Sequence, residues 1–328
     1  MSATKSATSL ITRLRRQVNA AVGVRPLTIG LSLFWLWLVA RWMNDFVLSK
    51  MVGIERGHPF VPSAPFAVAA DWTAALAASL GVLGRPVAWL AGAFTFVVDA
   101  ISYLPMLSQG IWTTVLLTVF SVCFGFMLAL PLSVVRVYGG QWSRWLALSY
   151  TELVRGTPLL AQLFVLYFAT SLTQILRGVP GVGVSFVPAQ AFWVAVISFT
   201  LNSAAYQSEY LRAALESVDD GQLTAARAIG LSKLQGIRYV VVPQGLRLAL
   251  PSWTNELAYL IKYSSLASFI TVQELFGRTS TLASETYQYT DLFILAAILY
   301  LALVVSASAL MDRVESRTAT VGVGHTRQ

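Results

Sequence analysis

The apolar residues of this chain are gathered into long runs that carry few charges, and this constrains the fold more than any other feature. The runs lie at 27–43, 111–135, 158–176, 189–207, 247–270 and 291–310. A run of about 18 residues or more with few charges is long enough to cross a bilayer as a helix. Only 12% of the residues are charged, against about 25% in soluble domains. The expectation is an all-α transmembrane protein with six spans.

The net charge of +8 raises the question of nucleic acid. No basic stripe is interleaved with exposed aromatics, and placement of the charges points to membrane topology instead. With the N-terminus in the cytoplasm, segments 1–26, 136–156, 210–247 and 312–328 hold 16 Lys and Arg, whereas the external segments 44–107, 177–188 and 272–290 hold 5. Cytoplasmic loops are enriched in these residues, so this orientation is expected, with both termini inside. Cys123 is the single cysteine and His58 and His325 are the two histidines, which leaves no disulfide framework and no set of metal ligands.

The chain divides into a basic tail at 1–26, an anchor and a periplasmic or interfacial segment at 27–107, a membrane domain at 108–313 and a tail at 314–328. The first run reads as an uncleaved anchor rather than a signal peptide, because Arg41 and Trp42 close it and Leu38-Val39-Ala40 is a poor cleavage site. Segment 44–107 is rich in proline, and its moderately apolar stretch at 74–98 is broken by Arg85-Pro86. An interfacial or re-entrant course fits it. A further full span is the competing reading, but it would place the basic loop 210–247 outside.

That loop is too ordered in pattern for a tether. Asp219-Asp220-Gly221 signals a helix start, since acidic residues favour a helix N-terminus. A short helix with Ala225, Ala226 and Ala228 follows, Gly230 stops it, and Ser232 is placed to cap another. Pro243 and Pro251 come next. The residues alone leave two readings open, a docking element or an ordinary structured loop.

The spacing resembles the cytoplasmic "EAA" loop of ABC-importer permeases: E-A-A, three residues, G, nine residues, I, one residue, L-P. Here Thr224-Ala225-Ala226, Gly230, Val240 and Val242-Pro243 occupy that register, with Thr224 where the pattern has Glu. Further stretches are similar to the polar amino-acid uptake branch: Arg155-Gly156-Thr157-Pro158 with Gln162, Asp220-Gly221-Gln222, Pro243-Gln244, Ser264-Ser265-Leu266 and Glu274-Leu275. The resemblance covers about two thirds of the chain. It implies a five-helix, MetI-like type I importer core behind one added N-terminal helix. It also implies a coupling helix at about 221–231, carried by Asp220, Gly221, Gln222, Thr224, Ala225, Ala226, Gly230, Leu231 and Pro243. The implied partners are an ATP-binding subunit dimer, a second permease (a copy or a relative) and a periplasmic solute-binding protein, in a bacterial inner membrane. No cofactor belongs to this chain: MgATP is bound by the partner, and the chain has no G-x-x-x-x-G-K-[ST] sequence.

Asn202, Gln207, Glu209, Glu256 and Lys262 are costly inside a membrane unless they face a cavity or a partner. They are candidates for the translocation path, with interhelical hydrogen bonding as the alternative. Asn202, Tyr206 and Glu209 share a helical face at i, i+4, i+7. Thr157 is expected to cap a helix whose first turn holds Pro158. An ion-gradient-driven secondary transporter is the rival function, and it predicts inverted repeats that the sequence does not show. A membrane enzyme lacks a convergent catalytic set.

Overall fold

The computed structural model describes residues 26–50, 54–184 and 187–318, and its regular structure is entirely helical. The basic residues of the N-terminal tail up to Arg25 and the end of the C-terminal tail, including His325, lie outside the described residues. The chain forms two compact units, residues 1–60 and 61–328.

In the first unit, helix α1 (Pro26–Phe46) is apolar along its length and exposes Leu27, Ile29, Leu33 and Leu36. Its C-terminal turn is a polar knot. Arg41 is buried and pairs with Asp45 at 2.9 Å, and its Nη1 donates to the carbonyl of His58. Asn44 donates to the Ile54 carbonyl at 2.9 Å and accepts from the Ile54 amide at 3.0 Å. The Arg41 guanidinium lies 5.0 Å from the Phe60 ring centre. A buried ion pair persists only where further hydrogen bonds surround it, and segment 54–60 supplies them.

The second unit opens with a helical pair, α2 (Ala64–Ser79) and the first half of α3 (Arg85–Tyr138), joined by a tight turn and packed on each other. Segment 44–107 is therefore largely helical among the described residues. Helix α3 continues without a break through Pro105 and Pro131. At 1.5 Å per residue it is about 81 Å long, far more than the roughly 30 Å of a hydrocarbon core.

The rest follows as α4 (Gln141–Arg155), α5 (Leu159–Phe164), α6 (Leu172–Arg177), α7 (Gln190–Glu216), α8 (Asp220–Ala228), α9 (Lys233–Gly236), α10 (Val242–Tyr263), α11 (Leu275–Thr286) and α12 (Tyr289–Thr318). Helix α7 is the centre. It packs against α3, α4, α5, α6 and α10, and Phe192, Val194 and Phe199 meet Leu117, Leu163, Leu260 and Ile270 in the main apolar cluster. By length and hydropathy, Pro26–Phe46, Gly81–Tyr138 and Tyr289–Arg317 qualify as membrane-crossing helices. Helix α7 is less apolar because its polar residues Ser198, Asn202, Ser203, Gln207 and Ser208 are buried inside protein.

Two elements differ from the expected spans. Run 158–176 is not one helix: α5 passes through a π turn (Val165–Ala169), breaks at Thr170, and restarts as α6. Thr170 is extended, its hydroxyl donates to the Leu166 carbonyl at 2.6 Å, and it accepts from the Leu172 amide at 3.3 Å. A side chain that bonds the backbone on both sides competes with helix propagation. Segment 272–290 holds α11, capped by Glu274, whose carboxylate accepts from the amides of Phe276 (3.0 Å) and Gly277 (2.7 Å) and from the Tyr300 hydroxyl (2.6 Å).

Close approach of α3 to α7 depends on Gly125. A Cβ there would stand 2.8 Å from Gln207 Nε2 and 3.2 Å from Ser203. Gly125→Leu is expected to force the two helices apart at an overpacking cost of about 1–3 kcal/mol or more. The check is the thermal unfolding midpoint in detergent, which should fall for Gly125→Leu and stay near wild type for Gly92→Leu, where a side chain meets open space.

Candidate functional site

Helix α8 is short, and its ends are built from side-chain and backbone hydrogen bonds. Asp219 is the N-cap, its Oδ1 accepting from the Gly221 amide at 2.7 Å, so the cap falls one residue before Asp220, which occupies the first turn. At the other end, the Gly230 amide donates to the Arg227 carbonyl (3.0 Å) and the Leu231 amide to the Ala226 carbonyl (3.2 Å). This is a Schellman arrangement, which requires a left-handed residue, and Gly230 has φ +93°. Ser232 and Gln235 then form a reciprocal capping box that starts α9.

The element is braced onto the body of the protein. Gln244, in the first turn of α10 just after Pro243, donates to Gln222 Oε1 (3.4 Å) and to the Val240 carbonyl (3.0 Å). Lys233 Nζ donates to the carbonyl of Tyr138, at the end of α3 (3.2 Å). Of the three small residues, Ala226 is buried against Gly236, whereas Ala225 and Ala228 face outward with Thr224 and Arg227. Ile229 is 80% exposed. The Thr224 hydroxyl turns back onto the Asp220 carbonyl at 3.3 Å.

Just before this element, the end of α7 carries a charged cluster. Glu209 accepts from Arg136 of α3 and Arg212, Arg155 of α4 stands 3.6 Å away, and Arg212 also pairs with Glu216. Partial burial pushes the Glu209 carboxyl up, but hydrogen bonds from Arg212 and Arg136 pull harder and hold it below the ordinary carboxylate range. The guanidinium of Arg155 lies 5.4 Å from the Tyr206 ring centre.

Deeper in the helices, Gln207 Nε2 donates to the Val122 carbonyl (3.2 Å) and to Ser203 Oγ (2.8 Å), and Ser203 donates to Glu256 Oε1 (2.7 Å). This chain ties α3, α7 and α10, and no cation pairs with the buried Glu256 among the described residues. Asn202 turns the other way and donates to Gln162 Oε1 (3.2 Å). Gln162 in turn donates to the Val154 carbonyl (2.6 Å) and to the carbonyl and hydroxyl of Thr157 (3.1 and 2.8 Å).

The five path candidates therefore separate. Asn202 joins α7 to α5, Gln207 and Glu256 form the interior chain, and Glu209 sits in the ion cluster. Lys262 joins none of them: it is exposed, 4.8 Å from the Tyr259 ring centre. Ser203, Arg136 and Arg212 went unsingled in the sequence. Only Arg212 carried a local signal, being three residues from Glu209 and four from Glu216. Among the motif residues, Pro158 is itself the N-cap of α5, with Gly156 ending α4, and the Thr157 hydroxyl donates back to the Leu153 carbonyl (3.0 Å) instead of capping forward. The hydroxyls of Ser264 and Ser265 bond the backbone one turn earlier, and Leu266 packs on the main apolar cluster.

Known proteins resemble this chain in sequence and in fold. Residues 121–320 match the family model described as "Binding-protein-dependent transport system inner membrane component". The chain is 37% identical over 220 residues to the "Probable amino-acid ABC transporter permease protein YckA" of Bacillus subtilis, covering 67% of this chain and 92% of that one. It is 38% identical over 200 residues to the "Octopine transport system permease protein OccM" of Rhizobium radiobacter, covering 60% and 79%. Among solved structures, an amino acid ABC transporter crystallised with histidines superposes with TM-score 0.57 at 31% identity, covering 67% of this chain and 97% of that one. An inward-facing MetNI methionine ABC transporter shares the fold with TM-score 0.57 at 20% identity, covering 66% and 98%. An all-helical, multi-pass membrane core with a capped, outward-facing helix after its central span is thus that of a transport subunit working beside an ATP-binding partner and a second permease, and the chain belongs to the binding-protein-dependent transport system inner membrane component family, as a permease of an ABC importer and not an enzyme.

Proposed function

We propose that the chain forms, with a second permease, the path by which a polar amino acid enters a bacterial cell across the inner membrane. The observation that carries the coupling part of this reading is α8: both ends are capped, the inner side is braced to α3 and α10, and the outer side is bare. The substrate class rests on the relatives, whose names speak of amino acids and of octopine. An external binding protein delivers the ligand, in keeping with the family's description. The 16-to-5 distribution of basic residues supports a cytoplasmic side for α8 and for both termini. The same assignment keeps 1–26 and 314–328 as cytoplasmic tails, 27–107 as anchor and outer segment, and 108–313 as the transporting domain.

In this reading Thr224, Ala225, Ala228 and Ile229 enter a cleft of the ATP-binding subunit. Asp220, Gly221, Gln222, Ala226, Gly230, Leu231 and Pro243 hold the helix in shape and in place. MgATP sits wholly on the partner. Closure of the ATP-binding dimer moves α8, which moves α10 through Gln222–Gln244 and α3 through Lys233. The energy of each step lies in differential binding among conformations. Family membership displaces the ion-gradient alternative. Asn202, Gln207 and Glu256 act as interior struts, because each hydrogen-bonds a neighbouring helix, which leaves Glu209 in its ion cluster and Lys262, exposed beside Tyr259, as the path candidates.

Two measurements test this. Ile229→Glu puts a charge on the bare face without touching the fold, so co-purification of the ATP-binding subunit should fall at least tenfold while membrane insertion stays normal; unchanged co-purification refutes the docking face. Glu256→Gln keeps an oxygen that accepts from Ser203, so transport and thermal stability should stay near wild type. Glu256→Ala strands the Ser203 hydroxyl and should cost about 1–3 kcal/mol. Loss of uptake in Glu256→Gln with stability intact would make Glu256 a substrate or proton contact instead of a strut.

A further inference from the structure

The first half of α3 lies outside the family match, which begins at residue 121. It is nevertheless apolar: residues 87–98 carry no charge, and Asp99 is the first charged residue after Arg85. Segment 111–135 alone suffices to cross the bilayer. Residues 85–104, about 30 Å of helix, are therefore not needed for that crossing and carry an apolar surface of their own. Val82 and Leu83 are each 82% exposed, Trp89 is 84% exposed, and Leu90, Trp72 and Val68 are exposed nearby. A continuous apolar surface of this kind is not left in water.

One face of this stretch has a distinct chemistry. Arg85, Ala88, Trp89, Gly92, Phe96 and Val97 follow i, i+3, i+4, i+7 spacing and line an open groove of about 930 Å³. Its floor is low at Ala88 and Gly92, and a Cβ added at Gly92 would meet nothing within 4 Å. Its walls are the rings of Trp89 and Phe96. Its one charged lining group is Arg85 at the end, and no carboxylate pairs with Arg85 among the described residues.

We propose that this face binds an anionic phospholipid, with an acyl chain laid along Ala88, Gly92 and Phe96 and the headgroup phosphate on Arg85. A guanidinium matches phosphate with two parallel hydrogen bonds, and a tryptophan one turn away suits the boundary between headgroup and hydrocarbon. A second protein helix could fill the trough, but it would leave the arginine facing apolar side chains unless it brought a carboxylate. The proposal rests on the chain's being a membrane protein and not on its carrying an amino acid, so the two fail separately.

The test uses the full chain, co-purified with its partner subunits and reconstituted in phosphatidylcholine vesicles. These contain an equal minor fraction of either phosphatidylglycerol or phosphatidylcholine bearing dibrominated acyl chains, which quench nearby tryptophan. The chain has ten tryptophans, so the signal of Trp89 is taken as the difference between wild type and Trp89→Phe. Brominated phosphatidylglycerol should be preferred about fivefold over brominated phosphatidylcholine, the size of one basic side chain's attraction to an anionic lipid. That preference should vanish in Arg85→Gln, survive in Arg85→Lys, and be reduced with both lipids in Gly92→Leu, which fills the groove. Equal quenching by the two lipids in wild type, or a preference that survives Arg85→Gln, overturns the proposal. So does a Trp89 quenched by neither lipid, because the face is then covered by protein or lies in water.

Discussion

A polar side chain buried in a membrane helix has no water to turn to, and the arrangement of this protein follows from how α7 meets that constraint. Ser203 and Gln207 are fully buried, and Asn202 nearly so. Each finds its partner on a different neighbour: Gln207 on α3, Ser203 on α10, Asn202 on α5. These bonds do what the hydrophobic effect cannot do between helices in lipid, where tails are as apolar as leucine. They also explain why α3 carries a glycine at 125: the amide of Gln207 reaches the Val122 carbonyl only if the two backbones come close. The interior is a polar spine dressed in apolar side chains.

At the end of that spine the chemistry changes from fixed to adjustable. Hydrogen bonds inside the spine are buried, and leaving one unmade is costly. The Glu209 cluster is partly exposed, with Arg155 and Arg212 about one third open. Pairs at that depth are screened and individually weak. A stiff interior with a loosely held charged rim suits helices that move as a body while the rim re-pairs, which is the behaviour the proposed docking at α8 requires.

Much of this was legible in the sequence because local rules acted alone. Gly230 reads as a helix stop and Ser232 as a cap, and both are; which of Asp219 and Asp220 caps α8 was not legible, since the two are equivalent to a pattern and differ only in backbone geometry. The break at Thr170 was illegible, because Thr-Ser inside an apolar run more often bonds its own helix than interrupts it. The partners of Glu209 and Glu256 were illegible too: Arg136 lies 73 residues from Glu209, and Ser203 lies 53 from Glu256. Such pairs are set by helix packing, and no periodicity encodes them. Asn202, Tyr206 and Glu209 share a helical face, yet Asn202 bonds α5 and Glu209 pairs with α3, since α7 has neighbours on nearly every side.

Helix α8 has nine residues, well below the length at which an isolated helix is stable in water. Its persistence as a helix therefore depends on its ends and its brace. The Asp219 cap and the Gly230 turn satisfy the groups that fraying would expose, and Ala226 against Gly236 fixes which side faces in. This makes the element stiff along its axis, attached directly to α10 through Gln244 and, through Lys233 of the adjoining α9, to the Tyr138 carbonyl of α3. One attachment would let α8 swivel under load. Where Ile229 enters the proposed cleft, attachment to two helices that both pack on α7 is what carries a push to the polar spine, whose buried hydrogen bonds tie α3, α7 and α10 together.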